Sequence, residues 1–303
     1  MKIIIKGTPH FVSTISEALK INYPEHEYIV IYSGETIKER IRMLFKYIYN
    51  IINADIIYII WGKCYNRPDI KLALLLKKRV YMHWIGSDVI TAKYNFNKNY
   101  YRNYNINNIY HLCETPWIQR ELREIGIIAD IVNLFSYDHI NNIDNTLPDR
   151  FSILSYAAKG KELFYGLDKL IRLAKDFPEI EIRITNISDY DDDLPDNIKL
   201  LGRVPDIIQQ YQDCVLYLRL IEHDGLSFSV LEALAHGRYV GYTYKFNNTI
   251  YIDNYITLRN VVNNLFLNFK NNTLAINQEG IDFIKLRFSR KVVSKHLIDR
   301  FMK

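Results

Sequence analysis

Short, almost wholly apolar runs recur along the chain, each followed by a longer stretch whose apolar positions have helical spacing. In the first half the strand-length runs are Lys2–Lys6, Tyr28–Ser33, Asp55–Trp61, Arg79–Trp84, Ile109–Glu114 and Ala129–Leu134. Ser13–Ile21, Thr36–Ile52 and Ile70–Lys78 between them have helix length. Strands apolar on both faces and alternating with helices predict a parallel sheet covered on both sides. Thr115-Pro116 opens a well-marked helix, with a side-chain cap, a proline at the first position and Gly126 at the end.

The alternation breaks over Ser136–Asp149, an Asn- and Asp-rich stretch containing Pro148, where we expect a domain boundary. It then restarts. Ser152–Tyr156, Glu181–Thr185, Ile198–Leu201, Val215–Leu218 and Arg238–Thr243 read as strands. Leu167–Asp176, Asp206–Gln212, Leu258–Phe269, Gln278–Leu286 and Ser289–Met302 read as helices. The fold class is therefore α/β, with two Rossmann-like, doubly wound domains expected at residues 1–145 and 146–288 and a terminal helix at 289–303. In open sheets of this kind ligands sit at the carboxyl ends of the strands.

Composition narrows the class further. A chain of 303 residues, 49% hydrophobic and 24% charged, has ample material for two globular cores. The longest apolar region, Tyr47–Trp61, is interrupted by Asn50, Asn53 and Asp55, so no bilayer span is expected. Cys64, Cys113 and Cys214 form no C-x-x-C pair, which favours a reducing, cytoplasmic setting and argues against structural zinc. The net charge of +5 is too small to point to nucleic acid, though it suits anionic substrates or an anionic membrane surface.

Candidate chemistry centres on His223–Gly237. An acid, Asp224, precedes Gly225-Leu226-Ser227, and a strongly apolar helix follows that carries one carboxylate, Glu232. A carboxylate in such a helix costs stability unless a partner meets it. The turn before the helix offers backbone amides beside the positive end of the helix dipole, a site suited to phosphate. Two acids flanking an anion site fit a ligand with phosphate in its middle and hydroxyls at both ends. A buried βα unit with Glu232 satisfied by a backbone donor is the alternative.

The eight-residue spacing of Asp224 and Glu232, followed by Ala-His-Gly-Arg-Tyr-Val, resembles the E-x7-E signature of retaining, GT-B-fold glycosyltransferases of family 4, with Asp in place of the first Glu. The resemblance implies that Glu232 holds the donor ribose hydroxyls and Asp224 those of the transferred sugar. The amides of Gly225, Leu226 and Ser227 would then face sugar and phosphate. Gly202-Arg203-Val204-Pro205 looks like the family's loop beside the nucleotide base, which implicates Arg203 and Val204. An ordinary strand-to-helix loop reads the same way.

The family places an Arg and a Lys after the first strand of the second domain to hold the diphosphate. Here Lys159 and Lys161 occupy a similar loop without the Arg, and Arg219 is a further candidate. In the first domain Gly7 permits close approach of backbone to a phosphate or sugar. His83-Trp84-Ile85-Gly86-Ser87-Asp88 resembles the family's acceptor-facing segment, with His83 a catalytic candidate alongside Lys161; Asp88 has the alternative role of a helix cap. The resemblance implies neither a metal nor another cofactor. It also suggests that the terminal helix returns to the first domain.

The acidic run Asp189–Asp193 reads as a solvated loop apart from these motifs, and the basic, amphipathic Thr36–Ile52 as either a domain helix or a peripheral membrane contact. The Tyr- and Asn-rich Tyr94–Tyr104 stretch could stack sugars or pack a loop. The expected activity is transfer of a sugar from a nucleoside diphosphate to a glycan, lipid-linked or small-molecule acceptor. A nucleotide-sugar epimerase, a phosphorylase and a non-catalytic binding protein are the alternatives.

Overall fold

The computed structural model describes residues 1–32, 36–63, 67–98, 108–136 and 146–303. Ser33, Cys64, residues 99–104 of the Tyr- and Asn-rich stretch and residues 137–145 of the expected boundary lie outside them. The chain forms two compact units, Met1–Ser136 with Arg287–Lys303, and Tyr137–Leu286.

The first unit holds a parallel sheet of β1 (Lys2–Gly7), β2 (Glu27–Tyr32), β3 (Ile56–Ile60), β4 (Arg79–Trp84), β5 (Tyr110–Cys113) and β6 (Ala129–Ile131). The spatial order is β2-β1-β3-β4-β5-β6, so the winding reverses between β1 and β3. Every residue of Ile56–Ile60 is buried, which is the both-faces-covered state that its apolar run predicts. Helices α1 (Pro9–Asn22), α2 (Ile37–Ile51), α3 (Pro68–Leu75), α4 (Ser87–Asn97) and α5 (Pro116–Glu124) connect the strands. Thr36 caps α2 in a full capping box with Glu39, and Thr115 caps α5.

Edge strand β6 is shorter than its apolar run, because beyond Ile131 the chain turns in and Leu134 N–H donates to the buried Glu114 carboxylate (3.1 Å). The terminal helix of the chain, packed against α1, runs from Arg290 to Phe301. The rings of Tyr58 and Tyr81 meet Phe301 edge-on, and Arg79 and Tyr81 donate to the carbonyls of Phe301 (2.6 Å) and Arg300 (2.8 Å). Those polar bonds satisfy the last helical carbonyls, which have no partner within the helix.

The second unit repeats the plan with β7 (Ser152–Tyr156), β8 (Glu181–Thr185), β9 (Ile198–Gly202), β10 (Leu216–Arg219), β11 (Tyr239–Tyr242) and β12 (Ile250–Tyr251). The order is β12-β11-β10-β7-β8-β9, all parallel, with the reversal between β7 and β10. The two-residue β12 lacks the length that marks a strand in sequence. Helices α6 (Leu167–Asp176), α7 (Ile207–Gln212), α8 (Phe228–Ala235), α9 (Tyr255–Lys270) and α10 (Gln278–Arg287) complete the unit, which makes the terminal helix α11. Its core sets Ile153, Ile182 and Leu218 against Leu170 of α6 and Leu258 and Val262 of α9. No helix among the described residues is long and apolar enough to cross a membrane.

Because each sheet is parallel, all its strand-to-helix loops emerge at one edge, and the loops flanking each reversal stand next to each other there. In the second unit Gly166 closes this edge. It lies in the left-handed region (φ +71°) between a short 3-10 turn, Leu163–Tyr165, and α6, and a Cβ there would come within 2.7 Å of the Leu220 carbonyl oxygen. Glu222 N–H donates to Phe164 O (3.0 Å), tying the same two loops. Gly166→Ala combines a left-handed alanine with a backbone collision and should cost about 2–3 kcal/mol of stability in denaturant titrations. A loss within experimental error would contradict this packing.

Candidate functional site

The site is assembled on the carboxyl edge of the second sheet, from the loops after β7, β9 and β10 and from α8. Ser227, in extended conformation, is the last residue before α8, but its side chain does not cap the helix. Its hydroxyl instead meets that of Ser229 (2.7 Å), to which the Tyr217 hydroxyl also donates (2.7 Å). The first turn of α8 carries no acid. The positive end of the helix is thus left without a side-chain anion, and the buried backbone of Gly225 and Leu226 leads into it.

One turn further on, Glu232 is the single charged residue of the helix. Burial pushes its carboxyl group up to about 7, and the Tyr211 hydroxyl, which donates to Oε2 (2.9 Å), opposes the shift. Tyr211 belongs to α7, the helix that follows the Arg203–Pro205 loop and is capped by Asp206 accepting from Ile208 N–H (2.9 Å) and Gln209 N–H (3.3 Å). His236 stacks on the Tyr211 ring (5.5 Å between centroids), and its Nδ1 lies 2.7 Å from Glu232 O. The partner that the sequence leaves open for Glu232 is therefore a tyrosine, supplied by the helix next to the expected base-binding loop.

Asp224 and Arg219, read separately in the sequence, form one pair. Arg219 Nε donates to Oδ2 (2.9 Å) and its terminal nitrogen to Oδ1 (3.3 Å), a fork in which both partners are nearly buried. The Tyr242 hydroxyl donates to the same Oδ2 (3.1 Å), and the guanidinium lies over the rings of Tyr156 (5.4 Å) and Tyr165 (5.3 Å). Burial opposes the charge on Arg219, but the Asp224 carboxylate outweighs it and the guanidinium holds its proton more firmly than usual. Arg219, a further candidate for the diphosphate, thus holds Asp224 in this structure.

Lys159 and Lys161 follow β7 on an exposed turn in which Gly160 has a positive φ (+77°). Lys159 donates to Asp189 (2.5 Å) and Asp191 (3.2 Å), so the acidic run does not stand apart from the cationic loop: it closes on it. Lys161 is exposed and makes no ion pair among the described residues. Arg203 is exposed and Val204 half-buried beyond β9, where Gly202 takes a positive φ (+61°).

In the first unit Gly7 ends β1 at the reversal, and a Cβ there would approach Ile60 O to 2.9 Å. His83 does not reach a surface. It is fully buried within β4, its Nδ1 lies 2.7 Å from the Tyr58 hydroxyl, and burial pushes its imidazole down to about 3. A neutral core histidine replaces the expected acceptor-facing one. Asp88 fills the capping alternative, accepting from the amides of Gly86 (2.9 Å), Val89 (3.0 Å) and Ile85 (3.1 Å) and across from Gly62 (2.6 Å). Burial still pushes it up to about 6.

The raised Glu232 sets a pH dependence. Below about 4.5 the carboxyl is protonated in folded and unfolded chains alike, and no penalty is felt. Between about 4.5 and 7 the unfolded chain loses this proton while the folded one keeps it, so stability falls as pH rises, by about 3 kcal/mol in all for a shift of this size, and levels off once the folded carboxyl ionises above about 7. The difference in unfolding free energy between wild type and Glu232→Gln should shift in the variant's favour from pH 4.5 to 7.5. In Tyr211→Phe the carboxyl should titrate higher still, by carbon NMR of the Glu side chain. A pH-independent difference, or a lower titration in Tyr211→Phe, would contradict this environment.

No protein-family model matches the chain, and no curated protein matches its sequence. Solved structures share its fold. Sucrose-phosphate synthase from Thermosynechococcus elongatus superposes over 100% of this chain and 98% of its own, with a TM-score of 0.69 and 11% identity. UDP-GlcNAc 2-epimerase from Neisseria meningitidis, bound to UDP-GlcNAc, matches over the full length of both chains at 0.54 and 13%. The pneumococcal O-GlcNAc transferase GtfA, in complex with UDP and GlcNAc, matches 86% of this chain but 59% of its own, at 0.58 and 14%. With two parallel six-stranded sheets and their helices, the chain has the two Rossmann-like domains of the GT-B fold.

Proposed function

We propose that this chain is a glycosyltransferase that moves a sugar from a nucleoside diphosphate to an acceptor hydroxyl with retention of configuration. The observation that carries the reading is the half-buried Glu232 carboxylate, held by Tyr211 one turn inside an uncapped helix start and accompanied by the Arg219–Asp224 fork. Glu232 accepts the paired ribose hydroxyls. The amides of Gly225, Leu226 and Ser227 face the sugar and the diphosphate. Asp224, held rigid by Arg219 and Tyr242, uses its remaining lone pairs for hydroxyls of the transferred sugar. Lys161 and Lys159 stabilise the diphosphate as it leaves with extra negative charge. The bond from the anomeric carbon to the diphosphate oxygen breaks, and the acceptor oxygen bonds to that carbon on the same face. The acceptor proton passes to the departing phosphate oxygen.

The similarity of fold to proteins whose structures hold UDP and a sugar supports this reading. The full-length match to a 2-epimerase favours a second one, rearrangement of the bound nucleotide-sugar without an acceptor. Free UDP with glycoside as products selects transfer; an isomeric nucleotide-sugar selects epimerisation. UDP should raise the melting temperature of wild type, and Glu232→Gln should weaken binding about 10- to 100-fold while keeping the fold. Unchanged affinity in the variant would remove Glu232 from the donor site.

We also propose that the first unit rests on an anionic membrane surface through α2. Met43, Tyr47 and Ile51 bury one face of that helix, and Ile37, Ile41, Leu44, Phe45, Ile48 and Ile52 form a second apolar stripe that is exposed. Exposed Lys38, Arg40, Arg42 and Lys46 are interspersed with the stripe. Their charge disfavours pairing with a second copy of the same face and suits anionic headgroups. Sedimentation with phosphatidylglycerol vesicles at low salt should carry the protein down, and Phe45→Ser with Ile48→Ser should reduce partitioning at least about tenfold. Equal partitioning of wild type and variant would overturn the contact.

A further inference from the structure

Three hydroxyls form a chain at the start of α8. Tyr217, on β10, donates to Ser229 Oγ (2.7 Å), which lies 2.7 Å from Ser227 Oγ. Tyr217 is 2% exposed and Ser227 8%, so water reaches little of the chain. Burial makes the Tyr217 phenol hold its proton more firmly than usual, which suits a donor. The Tyr217 ring also meets that of Tyr211 edge-on (5.9 Å between centroids), and Tyr211 donates to Glu232. One pair of packed tyrosines therefore supports both Glu232 and the serines.

The chain holds more donors than it uses. Each hydroxyl brings one proton and can also accept, so three protons serve two hydrogen bonds. Tyr217 gives its own to Ser229, and the proton left over belongs to a serine. If Ser229 donates to Ser227, the spare proton is that of Ser227; in the reverse order it is that of Ser229. The first order is favoured, because a hydroxyl that accepts one bond donates the next more strongly. Neither serine hydroxyl has a further partner among the described residues.

The place of Ser227 in the fold gives the spare proton a direction. A serine before a helix ordinarily turns its oxygen back to accept from an amide of the first turn. Ser227 has the extended backbone of such a cap but forms no cap bond, and its oxygen meets Ser229 instead. Its hydroxyl is thereby released to donate, at a helix start that carries no acid in its first turn. A buried donor without an acceptor is costly, and an anionic ligand at the positive end of the helix would supply the acceptor.

We infer that the Ser227 hydroxyl donates to a phosphate oxygen of the sugar donor, and that Tyr217 is a positioning residue that aligns it through Ser229. Calling that phosphate part of a sugar donor rests on the transfer reading above, in which only the Ser227 amide is engaged; the spare proton does not. The chain adds a buried, neutral donor to the exposed Lys159 and Lys161. Its fixed alignment needs no reorganisation when the ligand arrives.

The test is calorimetry on the full chain with UDP, with uridine, which lacks phosphate, and with inorganic pyrophosphate, which lacks the nucleoside. Ser227→Ala, Ser227→Thr, Tyr217→Phe and the double variant Tyr217→Phe with Ser227→Ala are compared with wild type, and thermal melting confirms that each folds. UDP binding should weaken about tenfold in Ser227→Ala and return in Ser227→Thr, with uridine binding unchanged in both. Tyr217→Phe should weaken UDP binding about three- to tenfold in the wild-type background and leave it unchanged where Ser227 is already Ala. Equal UDP affinity of wild type and Ser227→Ala overturns the phosphate contact, and equal losses from Tyr217→Phe in both backgrounds overturn the positioning role. Should UDP fail to bind wild type, the nucleotide reading falls and pyrophosphate decides: binding that depends on Ser227 keeps the contact, and absent or Ser227-independent binding overturns it. Glu232→Gln, which acts at the ribose, should weaken uridine and UDP alike, so the two sites fail separately.

Discussion

A carboxylate half-buried on an apolar helix is the constraint on which the second unit turns. Taking Glu232 from water costs free energy that a single tyrosine hydroxyl offsets only in part, and the group responds by holding its proton up to about 7. Such a residue weakens the fold that contains it, so its placement makes sense where a ligand supplies the missing donors. A vicinal diol supplies two, at the distance one carboxylate can accept. The rest of the site follows from the same helix: its uncapped start faces the loop of Asp224, and that loop is fastened by Arg219, Tyr242 and Gly166.

The two sheets share one topological logic and differ in chemistry. Each reverses its winding beside its first strand, which places two loops side by side at the carboxyl edge. In the second unit those loops carry the lysine turn and the Asp224 segment. In the first they carry Gly7 and Trp61, with a cationic cavity between strands rich in isoleucine. Parallel sheets buried on both faces can afford such edges only because the strand interiors are uninterrupted by polar groups, as Ile56–Ile60 illustrates.

Much of this was legible in the chain. The apolar runs located the strands, since a period-free run of five or six residues bounded by turn formers has few other solutions, and Thr115-Pro116 marked a helix start correctly. The Asp224–Glu232 spacing pointed to the candidate site because one loop and the helix that follows it carry both residues. What escaped were pairings distant in sequence. Tyr211 lies 21 residues before Glu232, and Asp189 lies 30 after Lys159, and nothing local ties either to its partner. His83 misled because a string of residues does not say which way a strand side chain points. The α2 helix carries two apolar faces, one buried and one exposed, and a single amphipathic pattern hides that distinction.

The central claim is that an anionic Glu232 meets the hydroxyls of a nucleotide, and its protonation state reports this directly. Calorimetry of UDP binding at pH 7, repeated in buffers of different ionisation enthalpy, counts the protons released on binding. With the free carboxyl titrating at about 7 and the bound one well below, about half a proton should leave per UDP, and none in Glu232→Gln. Binding without proton release, or release that persists in the variant, would contradict the account.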